Sequence, residues 1–368
     1  MRILRTESSR NWGGQEERLL AEANWMIQRG HFVAIVCDPE AALLPRAREL
    51  EIPCFPTRMR TSINPLATIA LFGIIRKWKP DVVHTNSPKD SWLCYPLHVA
   101  GVPVVRSRNI SLSHHMTWTR SFIYRYGCRR VIPTAEFIAE RLRNESKVPA
   151  DHIDVVGVGV DTKVFNPEID GSAFRHELGI AESAPLFGVV AMLRGEKGQR
   201  IFLRSALEVL KTHPNYRFIM IGRGTGKGNI EQKLKEEILA AFPNGESPIL
   251  LTGFRKDIPE AMAALTALVV PSIHDAQPLV IPQAFAMGRA VIGSRGGGIP
   301  ELVRHEENGL LVEVRDEAGL TAAMLRLGED QEFRKRLEKA AYEFCSRELS
   351  FDRKMEQLIA SYTKALAN

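Results

Sequence analysis

Along the chain, short and mostly apolar runs alternate with longer stretches whose apolar residues return every three or four positions. Met1–Leu4, Phe32–Cys37, Val82–His84, Val102–Arg106 and Arg130–Pro133 are of the first kind. Such runs read as strands buried on both faces. Glu16–Arg29, Pro65–Lys77 and Ala135–Asn144 lie between them with a helical period. Strand, helix and strand in repeat predict a parallel sheet covered on both sides. A second series begins after 162–183, a stretch without strand signals. Its strands are Leu186–Ala191, Arg217–Ile221, Ile249–Thr252, Leu268–Pro271 and Ala290–Ser294. Its helices are roughly Gln199–His213, Asn229–Ala241, Ile258–Ala264, Leu279–Met287 and Glu317–Leu327. The ending, Phe333–Ala367, is helical in period and free of proline.

The expected fold is therefore α/β, with two doubly wound, Rossmann-like parallel-sheet domains facing a cleft. Residues 1–165 would form the first domain and 166–345 the second. Residues 346–368 would form a terminal helix that packs back across the boundary. Ligands of such sheets sit at the carboxyl ends of the strands.

Composition narrows the class without naming a reaction. The 368 residues are 45% hydrophobic and 25% charged, which excludes a disordered or fibrous chain. Five scattered cysteines exclude a Cys-X-X-Cys redox site and suit a reducing, cytoplasmic setting. The start turns polar after Leu4, unlike a signal peptide, and no apolar run reaches the ~20 residues of a spanning helix. Charge is uneven: residues 1–150 hold 22 basic and 13 acidic side chains, the remainder 27 and 30. A basic half points to an anionic partner such as a phosphorylated substrate or an anionic lipid surface.

Three segments carry candidate chemistry. Gly13 and Gly14 lie between the first strand and the first helix, where two glycines let a ligand approach backbone N–H groups. A tight connection with no ligand is the plainer alternative. Arg194-Gly195-Glu196-Lys197-Gly198 occupies the matching turn of the second domain, and its cations suit a diphosphate; a solvated loop would look the same. From Pro271 to Glu301 a strand ends, a polar turn follows, and a helix starts near Pro278. Its first N–H groups, near Leu279 and Val280, would face a phosphate. Asp275 stands before this helix and Gln283 about a turn inside it, positioned to reach a sugar hydroxyl and a ribose hydroxyl; Asp275 as a plain helix cap is the alternative. The glycine-rich Gly222–Gly228 fits neither a P-loop nor a dinucleotide fingerprint and is read as a turn.

Taken together, Trp12-Gly-Gly-Gln-Glu16, Asp81-Val-Val-His-Thr-Asn86, Asp90-Ser-Trp92, Gly159-Val-Asp161, Glu196-Lys-Gly198, Thr252-Gly-Phe254 and the long Pro271–Glu301 run resemble the GT-B fold glycosyltransferases of family 4, over nearly the whole chain. Within that family the likeness is to bacterial enzymes of lipopolysaccharide and other envelope glycans. The family's Glu-x7-Glu pair is here Asp275-x7-Gln283. Its Arg five residues before the Lys falls on Met192, and a His common after a strand of the first domain falls on Asn109, with His114 close by.

The resemblance implies a retaining transferase that moves a sugar from a nucleotide-sugar, its co-substrate, to a glycan or lipid-linked acceptor. Lys197 and Arg194 would meet the leaving diphosphate, and Asp275 would hold the donor sugar. Gly13, Gly14, Gly253, Phe254, Arg255, Pro278, Leu279, Val280 and Gln283 would bind the donor. Glu16, Asn109 and His114 would face the acceptor. No Asp-x-Asp occurs in the chain, so neither a metal nor another cofactor is expected, and nucleic acid is not expected as a partner. A catalytically weak sugar-nucleotide-binding or partner subunit is the alternative. Pro65–Lys79 leaves two readings open: a buried crossover helix with a basic last turn, or, together with the basic side chains of Arg106–Lys147, a surface that meets an anionic inner membrane.

Overall fold

The computed structural model describes residues 1–109, 117–224 and 229–367. It divides into two compact units. The first is Met1–Gly157 together with the chain from Lys354 on, and the second is Val158–Arg353. The division thus falls eight residues before the one expected from the sequence.

In the first unit six strands form one parallel sheet: β1 (Arg2–Glu7), β2 (Phe32–Cys37), β3 (Cys54–Pro56), β4 (Val82–Thr85), β5 (Val104–Arg108) and β6 (Arg130–Pro133). Their order is β3-β2-β1-β4-β5-β6. In the second unit β7 (Leu186–Val190), β8 (Arg217–Ile221), β9 (Ile249–Gly253), β10 (Ala267–Val270), β11 (Ala290–Ser294) and β12 (Leu310–Val312) lie in the order β12-β11-β10-β7-β8-β9. Every pairing among these strands is parallel. The doubly wound expectation holds for both sheets. β3 and β12, three residues each, were not among the expected strands; edge strands so short carry no usable period.

Packing follows the patterns. The helix Gln199–Leu210 buries Phe202, Leu203, Ala206 and Val209, a spacing that keeps one stripe on the sheet. Phe202 meets Phe218 edge-on at 5.9 Å, and Phe218 stacks on Phe187 at 6.1 Å. Each such fully buried ring contributes about 1.5–3 kcal/mol relative to exposure.

The expected single terminal helix is two, Gln331–Glu348 and Phe351–Ala367. Between them Val160 N–H donates to Leu349 O at 2.9 Å, and Phe351 N–H donates to Val160 O at 2.9 Å. Strand-like bonding to Val160 on both sides of Ser350 interrupts the helical ladder there. The last helix buries Met355, Leu358, Tyr362 and Ala365, and from Lys354 on it belongs to the first unit. Tyr362 Oη lies 2.6 Å from Nδ1 of the buried His84.

The helix Pro65–Trp78 overturns the buried-crossover reading. It buries only Ala67 and Leu71, while Leu66 is 80% and Ile69 66% exposed.

Candidate functional site

In the second sheet β7 and β10 are neighbours, yet the chain leaves them toward opposite edges. The loops that follow part there and open a crevice at the carboxyl ends. A cavity of about 170 Å³ occupies that point, lined by the ends of β7 and β10 and by Lys197, Ser272, Asp275 and Pro278–Val280. Pockets for whole drug-sized ligands run to about 300–1,000 Å³, so this one suits a diphosphate with part of a sugar.

Two loops build it. After β7 the chain makes one tight turn, Gly195–Lys197, and reaches Gly198 at φ +74°. A Cβ there would lie 2.0 Å from Pro271 O, so only glycine lets this turn rest on the end of β10. Ile273 N–H donates to Glu196 O at 2.8 Å and ties the two loops together. Behind Asp275 sits the glycine run 296–298. Gly298 N–H donates to Asp275 O at 2.9 Å, and a Cβ on Gly297 would fall 1.9 Å from that oxygen. The loop carrying Asp275 is therefore held from both sides, and Lys197 Nζ meets Asp275 Oδ2 at 2.5 Å. Gln199, whose side chain the sequence reading missed, is buried and donates from Nε2 to Met192 O at 2.9 Å, bracing the end of β7.

The other expected residues are spread more widely. Pro278, Leu279 and Val280 line the cavity. Arg194 does not; its Nη1 lies 3.8 Å from Glu196. Gln283 is half-buried within the helix Val280–Ala286 and outside the lining. Gly253 ends β9 at φ +73°, with Phe254 exposed after it. β9 stands beyond β8, about 10 Å from β7 at the usual strand spacing. The Arg255 guanidinium is engaged by Glu177 at 2.7 and 2.8 Å and by Asp257 at 2.8 and 2.5 Å. Bonds to those carboxylates hold its pKa above the ordinary arginine value. Only its backbone is left for a ligand.

The first sheet reverses between β1 and β4. Gly13, extended at φ −167°, precedes the helix Gly14–Gln28. Glu16 is buried. At the end of β1 the buried Glu7 accepts from Ser9 N at 2.8 Å, from Gln15 Nε2 at 2.5 Å and from Ser87 Oγ. Burial pushes its carboxyl pKa up. The sequence reading missed Glu7, whose only signal is a charged residue closing an apolar strand. Asn109 follows β5 with its Oδ1 buried and unpartnered. His114 lies outside the described residues. Among the described residues no group of three metal-ligating side chains occurs, and no helix is long and apolar enough to cross a membrane.

Comparison with known proteins agrees with both sheets. A model described as Glycosyltransferase Family 4 matches residues 12–164, and one described as Glycosyl transferases group 1 matches residues 184–330. The UDP-Gal:alpha-D-GlcNAc-diphosphoundecaprenol alpha-1,3-galactosyltransferase of Escherichia coli is 27% identical over 72% of this chain and 70% of its own length. A D-inositol 3-phosphate glycosyltransferase of Acidothermus cellulolyticus is 30% identical over 65% of this chain and 57% of its own. The lipopolysaccharide core biosynthesis mannosyltransferase LpsB of Rhizobium meliloti is 30% identical over 47% of this chain and 50% of its own. The chain thus spans about half the length of the last two of these relatives. Among solved structures, a glycosyltransferase from Rickettsia africae superposes with TM-score 0.90 at 19% identity, covering 100% of this chain and 99% of that one. Anabaena HepE in complex with UDP superposes at 0.87 and 21% identity, over 99% and 100% of the two chains. At these identities the likeness speaks for the fold.

Proposed function

We propose that this chain, matched by the Family 4 model over residues 12–164 and by the group 1 model over residues 184–330, is a GT-B glycosyltransferase that transfers a sugar from a nucleoside-diphosphate sugar, with UDP-sugars first to test, to a lipid-linked or glycan acceptor of the cell envelope, with retention at the anomeric carbon. The observation that carries this is the cavity at the β7–β10 reversal, with Lys197 and Asp275 paired on its wall.

Breaking the anomeric C–O bond leaves charge on the β-phosphate. Lys197, preorganised in a partly dry pocket, meets that charge where it develops. The diphosphate draws Lys197 away from Asp275, and the freed carboxylate accepts from the sugar hydroxyls. The acceptor oxygen bonds to the anomeric carbon on the face the diphosphate leaves, and its proton passes to the departing β-phosphate oxygen. No protein base is needed in this scheme, and no cofactor enters it. The backbone of Gly253–Arg255, about 10 Å along the sheet, is the right distance away for a base. Gln283 is assigned to the ribose, and Arg194 to the diphosphate after it turns from Glu196. Gly13, Gly14, Glu16 and Asn109 are assigned to ligand contact in the Family 4 domain.

A lipid-linked acceptor is supported by the name of the E. coli relative and by the outward face of Pro65–Trp78. Ile63, Leu66, Ile69 and Phe72 are exposed there, beside Arg76, Lys77 and Lys79. Between Glu51 and Asp81 the chain holds five basic residues and no acidic one. An apolar face ending in cations suits an anionic lipid surface.

Incubating the purified protein with a panel of nucleotide-sugars tests the function. Nucleotide release from one of them, with a product whose anomeric coupling matches the donor, is expected. Release from none, with or without envelope lipid extract, would contradict it.

A further inference from the structure

From the end of β5 the chain reads Arg106-Ser107-Arg108-Asn109. Alternate strand residues share a face, so Arg106 and Arg108 leave the sheet together. Ser107 turns the other way and meets His84 Nε2 at 2.7 Å. The arginines lie on the side of the helix Trp118–Tyr126. The Arg106 guanidinium sits 3.9 Å from the ring centroid of Tyr124, and Arg108 contacts the same tyrosine. Arg106 is 4% exposed, Arg108 is half-buried, and Arg120 on that helix is open to solvent. Three guanidinium groups thus grade from the core to the surface.

Burial holds the pKa of Arg108 below the ordinary arginine value; Tyr124, which is hydrogen-bonded to it, acts against that, and the charges of Arg106 and Arg120 add to the lowering. From Ser91 to Ala135 the chain has six arginines and no Asp or Glu, so no residue of that stretch can supply a carboxylate. Among the described residues Arg106 Nη1 and Arg108 Nε, both donors, are buried without a hydrogen-bond partner. Buried guanidinium donors without an acceptor are rare and costly. An oxyanion with several acceptor atoms relieves that cost, and the planar fork of arginine fits it. The position, at the carboxyl end of a parallel strand, is where ligands of such sheets lie.

We propose that Arg106, Arg108 and Arg120 form an oxyanion site of the first unit for a phosphate or diphosphate, and that the phosphate group of the acceptor occupies it. The assignment to the acceptor rests on the glycosyl-transfer reading; the oxyanion site itself does not. It makes phosphate-bearing acceptors the preferred class, with the phosphate fixing the acceptor's register before transfer.

Inorganic pyrophosphate titrated calorimetrically into UDP-saturated protein tests the site, because UDP fills the donor site. Saturable binding is expected, weakened at least tenfold by Arg108→Gln and by Arg120→Gln, with UDP affinity and melting temperature unchanged in both. The exposed Arg120 keeps the test sound should Arg108→Gln fold poorly. Absence of pyrophosphate binding to the wild-type protein, or equal affinity in the variants, would overturn the proposal. If UDP does not bind, the comparison of wild type with the two variants in the same titration still decides the oxyanion site, and the transfer reading is decided separately by the nucleotide-sugar panel. Competition by phosphatidylglycerol vesicles would assign the oxyanion to a lipid headgroup, and lack of competition to the acceptor's own phosphate; the site stands in either case.

Discussion

Lys197 Nζ and Asp275 Oδ2 meet at 2.5 Å although 78 positions separate them in the chain. One follows β7 and the other β10, the two neighbours at which the second sheet reverses direction. Their contact depends on glycine at 198 and 297, where any side chain would collide with a carbonyl oxygen.

Gly198→Ala therefore tests the construction of the site. The left-handed backbone and the overlap with Pro271 O should destabilise the fold by on the order of 1–3 kcal/mol. Turnover should fall further than stability does, because Lys197 loses its position. Thermal melting and donor turnover, measured on the same preparation, check this; unchanged turnover would detach the turn from the site.

Gln283 is assigned to the ribose although it stands outside the cavity lining. Gln283→Ala should weaken nucleotide binding by roughly 1–3 kcal/mol, and Gln283→Glu should keep it. Calorimetric titration with the nucleotide decides, and equal affinity in all three proteins would remove Gln283 from the donor site.

The buried His84 gives stability a pH dependence. Burial first, then the charges of Arg5 and Arg18, hold its pKa well below 6.5. The unfolded chain takes up a proton as pH falls through that value and the folded chain does not. Its stabilising contribution is thus complete above about pH 6.5 and declines as pH falls below it. Denaturant titrations of wild type and His84→Gln at about pH 7 and about pH 5 measure the difference. A wild-type decline no steeper than that of the variant would contradict the assignment.

The outward face of Pro65–Trp78 predicts binding to anionic vesicles at low salt. Leu66→Glu with Ile69→Glu should abolish it, and so should removal of Arg76 and Lys77, since each well-placed cation contributes about 1 kcal/mol. Salt at ~0.5 M should release the wild-type protein. Co-sedimentation that leaves all of the protein in the supernatant at low salt would exclude this surface.

The sequence made the architecture readable wherever strands were long and buried on both faces. β2, β6, β8 and β11 begin and end where their apolar runs do. β3 and β12 escaped because runs of three residues carry little signal; of such runs only Val82–His84 reads as a strand. Pro65–Trp78 was ambiguous because an apolar helix has the same composition whether it faces a core or a membrane; only its burial of Ala67 and Leu71 separates the two. For the site, the turns carrying Lys197 and Asp275 could be placed at strand ends, but their contact depends on the strand order β10-β7, which connectivity alone does not fix. That the Arg255 guanidinium is taken up by Glu177 and Asp257 could not be read from the sequence, since Glu177 lies 78 positions away. The basic side chains of Arg106–Lys147 could be read as a charged surface, but Arg106 is buried at 4% exposure, which the sequence does not show.

The most direct test is donor turnover by Lys197→Ala. If Lys197 meets the leaving diphosphate, kcat/KM should fall by roughly 2–4 kcal/mol of transition-state stabilisation, while the melting temperature stays within a few degrees of wild type. Wild-type turnover in a folded Lys197→Ala protein would contradict the placement of the donor in the β7–β10 cavity.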